Sequence, residues 1–119
     1  MRILVVDDNG KLLVGIKREL EEAGHEVEIF DYGMELIQRL KNNPDCDAVV
    51  TDKNMPGMDG FEVIEAIRKE KRFAELPIIM HSSEPGLRRL VENAGALYAE
   101  KEFPYENLLA VLKTVEKKV

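Results

Sequence analysis

Only one cysteine, Cys46, occurs in 119 residues, which excludes an intramolecular disulfide and leaves no second Cys or nearby His at metal-ligand spacing. Set in a Pro-Asp-Cys-Asp loop, it reads as a free thiol kept reduced in a cytosol rather than as a nucleophile. Long apolar runs are missing as well. Four apolar residues separate Arg2 from Asp7, too few for a signal-peptide core, and no later run could span a bilayer. A cytoplasmic protein with no membrane partner is expected. Positive charge is in deficit: 17 Lys and Arg stand against 23 Asp and Glu, for a net charge of −6. The basic residues are dispersed, so no field attracts a polyanion and nucleic acid is not expected as a direct partner. Linkers, repeats and low-complexity tracts are also absent. At 45% hydrophobic residues the chain can build one domain, residues 1–119, with a real core, and is too short for two.

What is present is an alternation. Short apolar runs, mostly β-branched and bounded by turn residues, read as strands at Ile3–Val6, Val27–Phe30, Ala48–Thr51, Pro77–His81 and Leu97–Ala99. Between them lie helical periods. Leu13, Ile16, Leu20 and Ala23 share one face with Lys17, Arg18, Glu21 and Glu22 largely off it. Met34–Leu40, Phe61–Ile67 and Leu87–Ala94 give three more helices, and Leu108, Leu112, Val115 and Val119 mark a last one. Five strands alternating with five helices predict an α/β fold, a doubly wound parallel sheet with helices on both faces, because each parallel strand needs a crossover connection. The first, third and fourth strands are near-continuously apolar, as buried central strands are. Glu26 and Glu28, alternating with Val27 and Ile29, suit an edge.

In such a sheet the carboxyl ends of all strands lie along one edge, where doubly wound folds bind ligands. Asp7 and Asp8 follow the first strand, Asp52 the third, Ser82 and Ser83 the fourth, and Lys101 the fifth. Clustered carboxylates repel one another unless a cation joins them. All-oxygen ligation without His or Cys suits Mg²⁺. A lysine and a hydroxyl aimed at the same point would hold phosphoryl oxygens. The set describes phosphoryl transfer onto a carboxylate, with Asp52 as nucleophile between the metal side and the Ser/Lys side. Singly, each residue has a duller reading: Asp7 and Asp8 as helix caps, Asp52 as a loop acid, Ser82 as a strand-end hydroxyl, Lys101 as a solvated lysine. Their coincidence at four strand ends favours the functional one. After Asp52, Pro56-Gly57 suits the centre of a type II turn, Asp59 can cap the next helix, and Gly60 relieves crowding.

The segments ILVVDD, DKNMPGMDG, PIIMHSSE and YAEKEF, spread over essentially the whole chain, resemble the receiver domain of two-component response regulators. That resemblance implies the strand order 2-1-3-4-5, and a phosphoryl group accepted by Asp52 from a histidine kinase or phosphotransfer protein. It implies Mg²⁺ on Asp8 and Asp52, assisted by Asp7 and by the backbone carbonyl of Asn54. Ser82 would be the hydroxyl switch, Lys101 the phosphate-binding lysine and Tyr98 the aromatic rotamer switch. The output would be a downstream protein bound at the face of the fourth helix, fifth strand and fifth helix. Slow hydrolysis of its own acyl phosphate would not make the protein a turnover enzyme. Asn54 and Glu84, two beyond the acceptor and the hydroxyl, resemble the faster-decaying chemotaxis type.

Three departures qualify the resemblance. Lys101 is followed by Glu102 where the family usually has a cis proline. A cis bond there without proline would cost about 2.5 to 4 kcal/mol, so either the loop is trans with Lys101 placed differently, or strain is stored. The span from Ser82 to Lys101 is a few residues short, with Pro85-Gly86 opening a stubby fourth helix. His81 replaces an apolar residue and, by alternation, should turn away from the hydroxyl as a packed histidine; His25, in a Gly24-His25 turn, reads as a surface residue. These departures motivate an alternative, a degenerate receiver acting as a phosphorylation-independent interaction module. A haloacid dehalogenase-like phosphatase is disfavoured, because Asn54 stands where that chemistry wants a second acid and there is no room for a substrate-selecting cap.

Overall fold

The structure, a computed structural model, describes residues 1–117; Val119, assigned by periodicity to the last helix, lies outside the described residues. The strands are β1 (Arg2–Val6), β2 (Glu26–Phe30), β3 (Ala48–Thr51), β4 (Ile78–Ser82) and β5 (Leu97–Glu100). The helices are α1 (Gly10–Glu22), α2 (Gly33–Asn42), α3 (Gly60–Arg68), α4 (Arg88–Asn93) and α5 (Glu106–Glu116), with a short 3₁₀ turn at Lys71–Phe73 that periodicity does not reveal. All strand pairs are parallel, in the order β2-β1-β3-β4-β5. The sheet order and the two-sided helical cover agree with the sequence expectation, and β2 with its glutamates is indeed an edge.

Period-2 alternation sends successive strand residues to opposite faces. Ile3, Val5, Ala48, Val50, Ile79 and Ala99 pack with Leu13, Ile16 and Leu20 of α1 and Leu108, Leu112 and Val115 of α5. Leu4, Val6, Val49, Ile78 and Met80 pack with α2, α3 and α4 through residues such as Leu36, Leu40, Val63, Ile67 and Val91. Burying one such side chain contributes about 1.5 to 3 kcal/mol, so the double-sided burial of β1, β3 and β4 fixes the register along the whole carboxyl edge.

Local corrections follow from the ends of elements. Ala23 is not on the buried face of α1: it is the exposed C-cap residue. Neither Asp7 nor Asp8 caps α1. Asn9 does, its Oδ1 accepting from Leu12 N at 3.2 Å, while Asp7 Oδ1 accepts from Asn9 N at 2.9 Å. His25 is not a surface residue, since its ring is largely covered and Nδ1 stands 3.2 Å from the Met1 amino group. The turn after Asp52 is tighter than type II. Met58 N–H donates to Pro56 O at 3.0 Å around Gly57, whose φ of +81° fits a three-residue γ-turn. Asp59 caps α3 as expected, in a reciprocal capping box with Glu62.

Candidate functional site

Val6 and Thr51 are in register across the β1–β3 ladder, so the acids that follow them emerge side by side. Oxygen atoms of Asp7, Asp8 and Asp52 lie within 4.8 Å of one another. Asp7 is buried, Asp8 is exposed, and Asp52 retains 9% exposure. Asn54 lies on the open side of this cluster, lining a shallow depression with Asp8, Met55, Pro56 and Asp59. Gly60 makes the tight return possible: its N–H donates to Lys53 O at 2.8 Å, and a Cβ there would collide with the Asp52 carbonyl.

Lys101 arrives from the other half of the sheet. Its Nζ stands 2.9 Å from Asp7 Oδ2 and 3.0 Å from Asp52 Oδ1. Among the described residues the one cis peptide bond is Phe103–Pro104, so the Lys101–Glu102 bond is trans, and Lys101 nonetheless reaches the acids. Burial works against the ammonium charge, but the hydrogen bonds to Asp7 and Asp52 outweigh it and hold the Lys101 pKa above its ordinary value. Burial, and then the neighbouring Asp7 charge, raise the Asp52 pKa; Lys101 and the Lys53 N–H, 2.8 Å from Oδ1, oppose that rise. The result is a carboxylate that is partly desolvated, oriented by two donors, and more basic than one in water.

Ser82 ends β4 in a buried position, and its Oγ accepts from Glu84 N at 3.1 Å; Ser83 is exposed. Tyr98 is buried beside this loop, its hydroxyl donating to Ser82 O at 3.1 Å and Glu84 O at 3.0 Å. The Arg88 guanidinium lies 5.3 Å above its ring. Burial, first of several causes, pushes the Tyr98 hydroxyl pKa up, which suits an uncharged donor. His81 turns to the opposite face of β4, as alternation requires: it pairs in register with Ala99, is buried, and contacts Tyr105. Cys46 is half-buried, and burial pushes its thiol up to about 11, as expected of an unreactive thiol.

Sequence reasoning missed one contact at this edge. Lys53 Nζ meets Glu84 Oε1 at 2.8 Å, tying the loop that carries Asp52 to the loop that follows Ser82. Lysine after an acid carries no distinguishing sequence signal, and only the β3–β4 adjacency brings the two loops together.

Residues 3–113 match the family described as the response regulator receiver domain. The chain is 37% identical over 92 residues to chemotaxis protein CheY1 of Helicobacter pylori, covering 76% of this chain and 74% of that one. The structure of Vibrio cholerae chemotaxis protein CheY4 is similar with a TM-score of 0.86 at 32% identity, covering 96% of this chain and 97% of that chain. Thermotoga maritima TrrA, solved in complex with Mg²⁺-BeF, gives 0.85 at 33% identity with the same coverages. Sequence, sheet order and the acids at the strand ends agree, and the chain belongs to the response regulator receiver domain family of two-component signalling.

Proposed function

We propose that residues 1–119 form one receiver domain in which Asp52 accepts a phosphoryl group from the phosphohistidine of a kinase or phosphotransfer protein. The observation that carries this reading is Lys101 Nζ bridging Asp7 and Asp52 at 2.9 and 3.0 Å, inside a cluster that also holds Asp8. An Asp52 oxygen attacks phosphorus; the O–P bond forms, the donor's N–P bond breaks, and the freed imidazole takes up a proton. In this reading Lys101 moves from its carboxylate partners onto a phosphoryl oxygen, and Ser82 Oγ donates to another.

The donor set fits a hard divalent cation. It is all oxygen, it has an exposed carboxylate on the open side, and one ammonium leaves it with surplus negative charge. Asp8, Asp52 and the Asn54 carbonyl, with Asp7 assisting, would hold Mg²⁺, which neutralises charge on the transferring phosphoryl oxygens when bound. A shift of Ser82 toward the new group disturbs the two carbonyls that hold the Tyr98 hydroxyl. The effect is thereby passed to α4, β5 and α5, where Leu90 and Leu97 are exposed apolar residues available to a downstream protein. The degenerate, phosphorylation-independent module finds no support in a site that keeps every acid, the hydroxyl and the lysine in place.

The test is intact-protein mass spectrometry after incubation with acetyl phosphate, with and without Mg²⁺, beside Asp52→Asn. A Mg²⁺-dependent phosphoryl adduct absent from the variant is expected. No adduct on a folded wild-type chain would overturn the reading.

A further inference from the structure

Lys101 reaches the acids without the proline that usually follows it in the family, and the contacts that hold its loop lie behind the sheet edge. The loop joins Glu100 of β5 to Glu106 of α5. Its first peptide is pinned to β4, Lys101 N–H donating to Ser82 O at 2.9 Å. Its last residue, Tyr105, closes a turn by donating its N–H to Glu102 O at 2.8 Å. Tyr105 is also the one non-glycine position with positive φ, +73°, among the described residues. A residue with a Cβ persists there only where its surroundings hold it.

The ring supplies that hold. It is 7% exposed and packs edge-on against His81, centroids 6.2 Å apart. Its hydroxyl oxygen sits against α1, 2.9 Å from where a Cβ on Gly15 would stand. Phe103 leans on the same ring at 5.7 Å while remaining 83% exposed. Three elements of the site therefore meet at one side chain: α1 follows Asp7 and Asp8, His81 precedes Ser82, and Tyr105 ends the loop that begins with Lys101. His81 makes no hydrogen bond through either ring nitrogen, and burial pushes its pKa down to about 4, so at neutral pH it is an uncharged packing surface. Neither His81 nor Gly15 has a part in the chemistry above.

We infer that Tyr105, seated between Gly15 and His81, is a positioning residue that fixes the Lys101 loop and so aims the ammonium at the phosphoryl group on Asp52. This role rests on Asp52 being the phosphoacceptor. The anchor is the ring, and the space over Gly15 is what admits its hydroxyl.

Phosphorylation rates with acetyl phosphate, Mg²⁺ affinity by calorimetry and thermal melts are compared for wild type, Tyr105→Phe, Tyr105→Ala, Gly15→Ala and the Gly15→Ala/Tyr105→Phe pair. Tyr105→Phe should stay within about twofold of wild type. Tyr105→Ala and Gly15→Ala should slow phosphorylation by about tenfold, because an ångström of misplacement is enough to do so. Mg²⁺ affinity should not fall, since Lys101 is not among its ligands. Alanine favours a helix over glycine, so Gly15→Ala is not expected to unfold α1. The pair should recover the rate: without the hydroxyl oxygen, the nearest ring atoms stand 3.7 and 3.8 Å from the new Cβ, ordinary contact. A wild-type rate in Gly15→Ala, a loss that Tyr105→Phe does not rescue, or Mg²⁺ affinity falling in step with the rate would overturn the positioning role while leaving Asp52 as acceptor. A wild-type chain that takes no phosphoryl group would overturn the phosphoacceptor reading, and this role with it.

Discussion

At the ends of β1 and β3 the acids follow the last strand residue directly, Asp7 after Val6 and Asp52 after Thr51, and those two strand residues are partners in the ladder. At the ends of β4 and β5 the arrangement is less direct: Ser82 is the last strand residue, opposite Glu100, and Lys101 begins a loop held from behind by α1 and β4. Strand register alone brings the carboxylates together, whereas the lysine depends on tertiary support. The segments ILVVDD and DKNMPGMDG that carry the resemblance most strongly build the acidic half, and the three departures, His81, Glu102 and the six-residue α4, all fall in the other half. Register constrains every position it uses, while a loop can be rebuilt around a new anchor as long as its functional atom arrives at the same place.

The contrast can be broken most sharply at Lys101. Lys101→Met should lower the rate of phosphorylation by acetyl phosphate about a hundredfold, the usual effect of removing a fixed cationic donor. Mg²⁺ affinity, which the proposed ligand set assigns to the acidic half, should not fall, since no ligand is removed. A parallel loss of both in rate assays and calorimetry would show that the halves are not separable.

His81, on the loop-supported half, should register in the pH dependence of stability. Its pKa is pushed down to about 4 from an ordinary 6.5, so between those values the unfolded chain binds a proton that the folded chain refuses. Its contribution is therefore fully present above pH 6.5 and lost as pH falls toward about 4, a difference on the order of 3 kcal/mol. His81→Phe keeps a ring against Tyr105 and should flatten that part of the curve in urea titrations at several pH values. An identical slope in the variant would refute the assignment.

On the register-built half the sensitive point is backbone clearance. Gly60→Ala places a Cβ against the Asp52 carbonyl and 2.8 Å from Met80 Cε, and should cost about 2 kcal/mol of stability by denaturant titration. The smallest effect is expected where the halves are joined at the surface. Lys53→Met removes the bridge to Glu84, whose side chains are 24% and 43% exposed, and should change stability by about 0.5 kcal/mol, less at high salt.

The same contrast explains what the sequence made legible. Five strands and the acids at the carboxyl edge could be read because each depends on a local run and the residue after it; the order of the strands came from the family resemblance alone. Ser82 and Lys101 could be placed at the edge. How Lys101 gets there could not, since Gly15, His81 and Tyr105 meet only in the fold: His81 stood out as a histidine in an apolar strand, but nothing in the sequence linked it to Gly15 or Tyr105. The Lys53–Glu84 pair was hidden for the same reason. Asn9 as the cap of α1, in place of Asp7 or Asp8, shows a short-range competition that side-chain geometry settles: Asp7 turns its carboxylate to the Asn9 N–H and to Lys101 instead.

The central claim, that the strand-end site transfers a phosphoryl group to Asp52, is tested most directly by trapping the acyl phosphate. After incubation with acetyl phosphate and Mg²⁺, borohydride reduction converts a phosphorylated aspartate to homoserine, and peptide mass mapping locates it. The account predicts homoserine at position 52, dependent on Mg²⁺ and absent when phosphodonor is omitted. Homoserine at another acid, or at none while the intact protein carries a phosphoryl adduct, would contradict it.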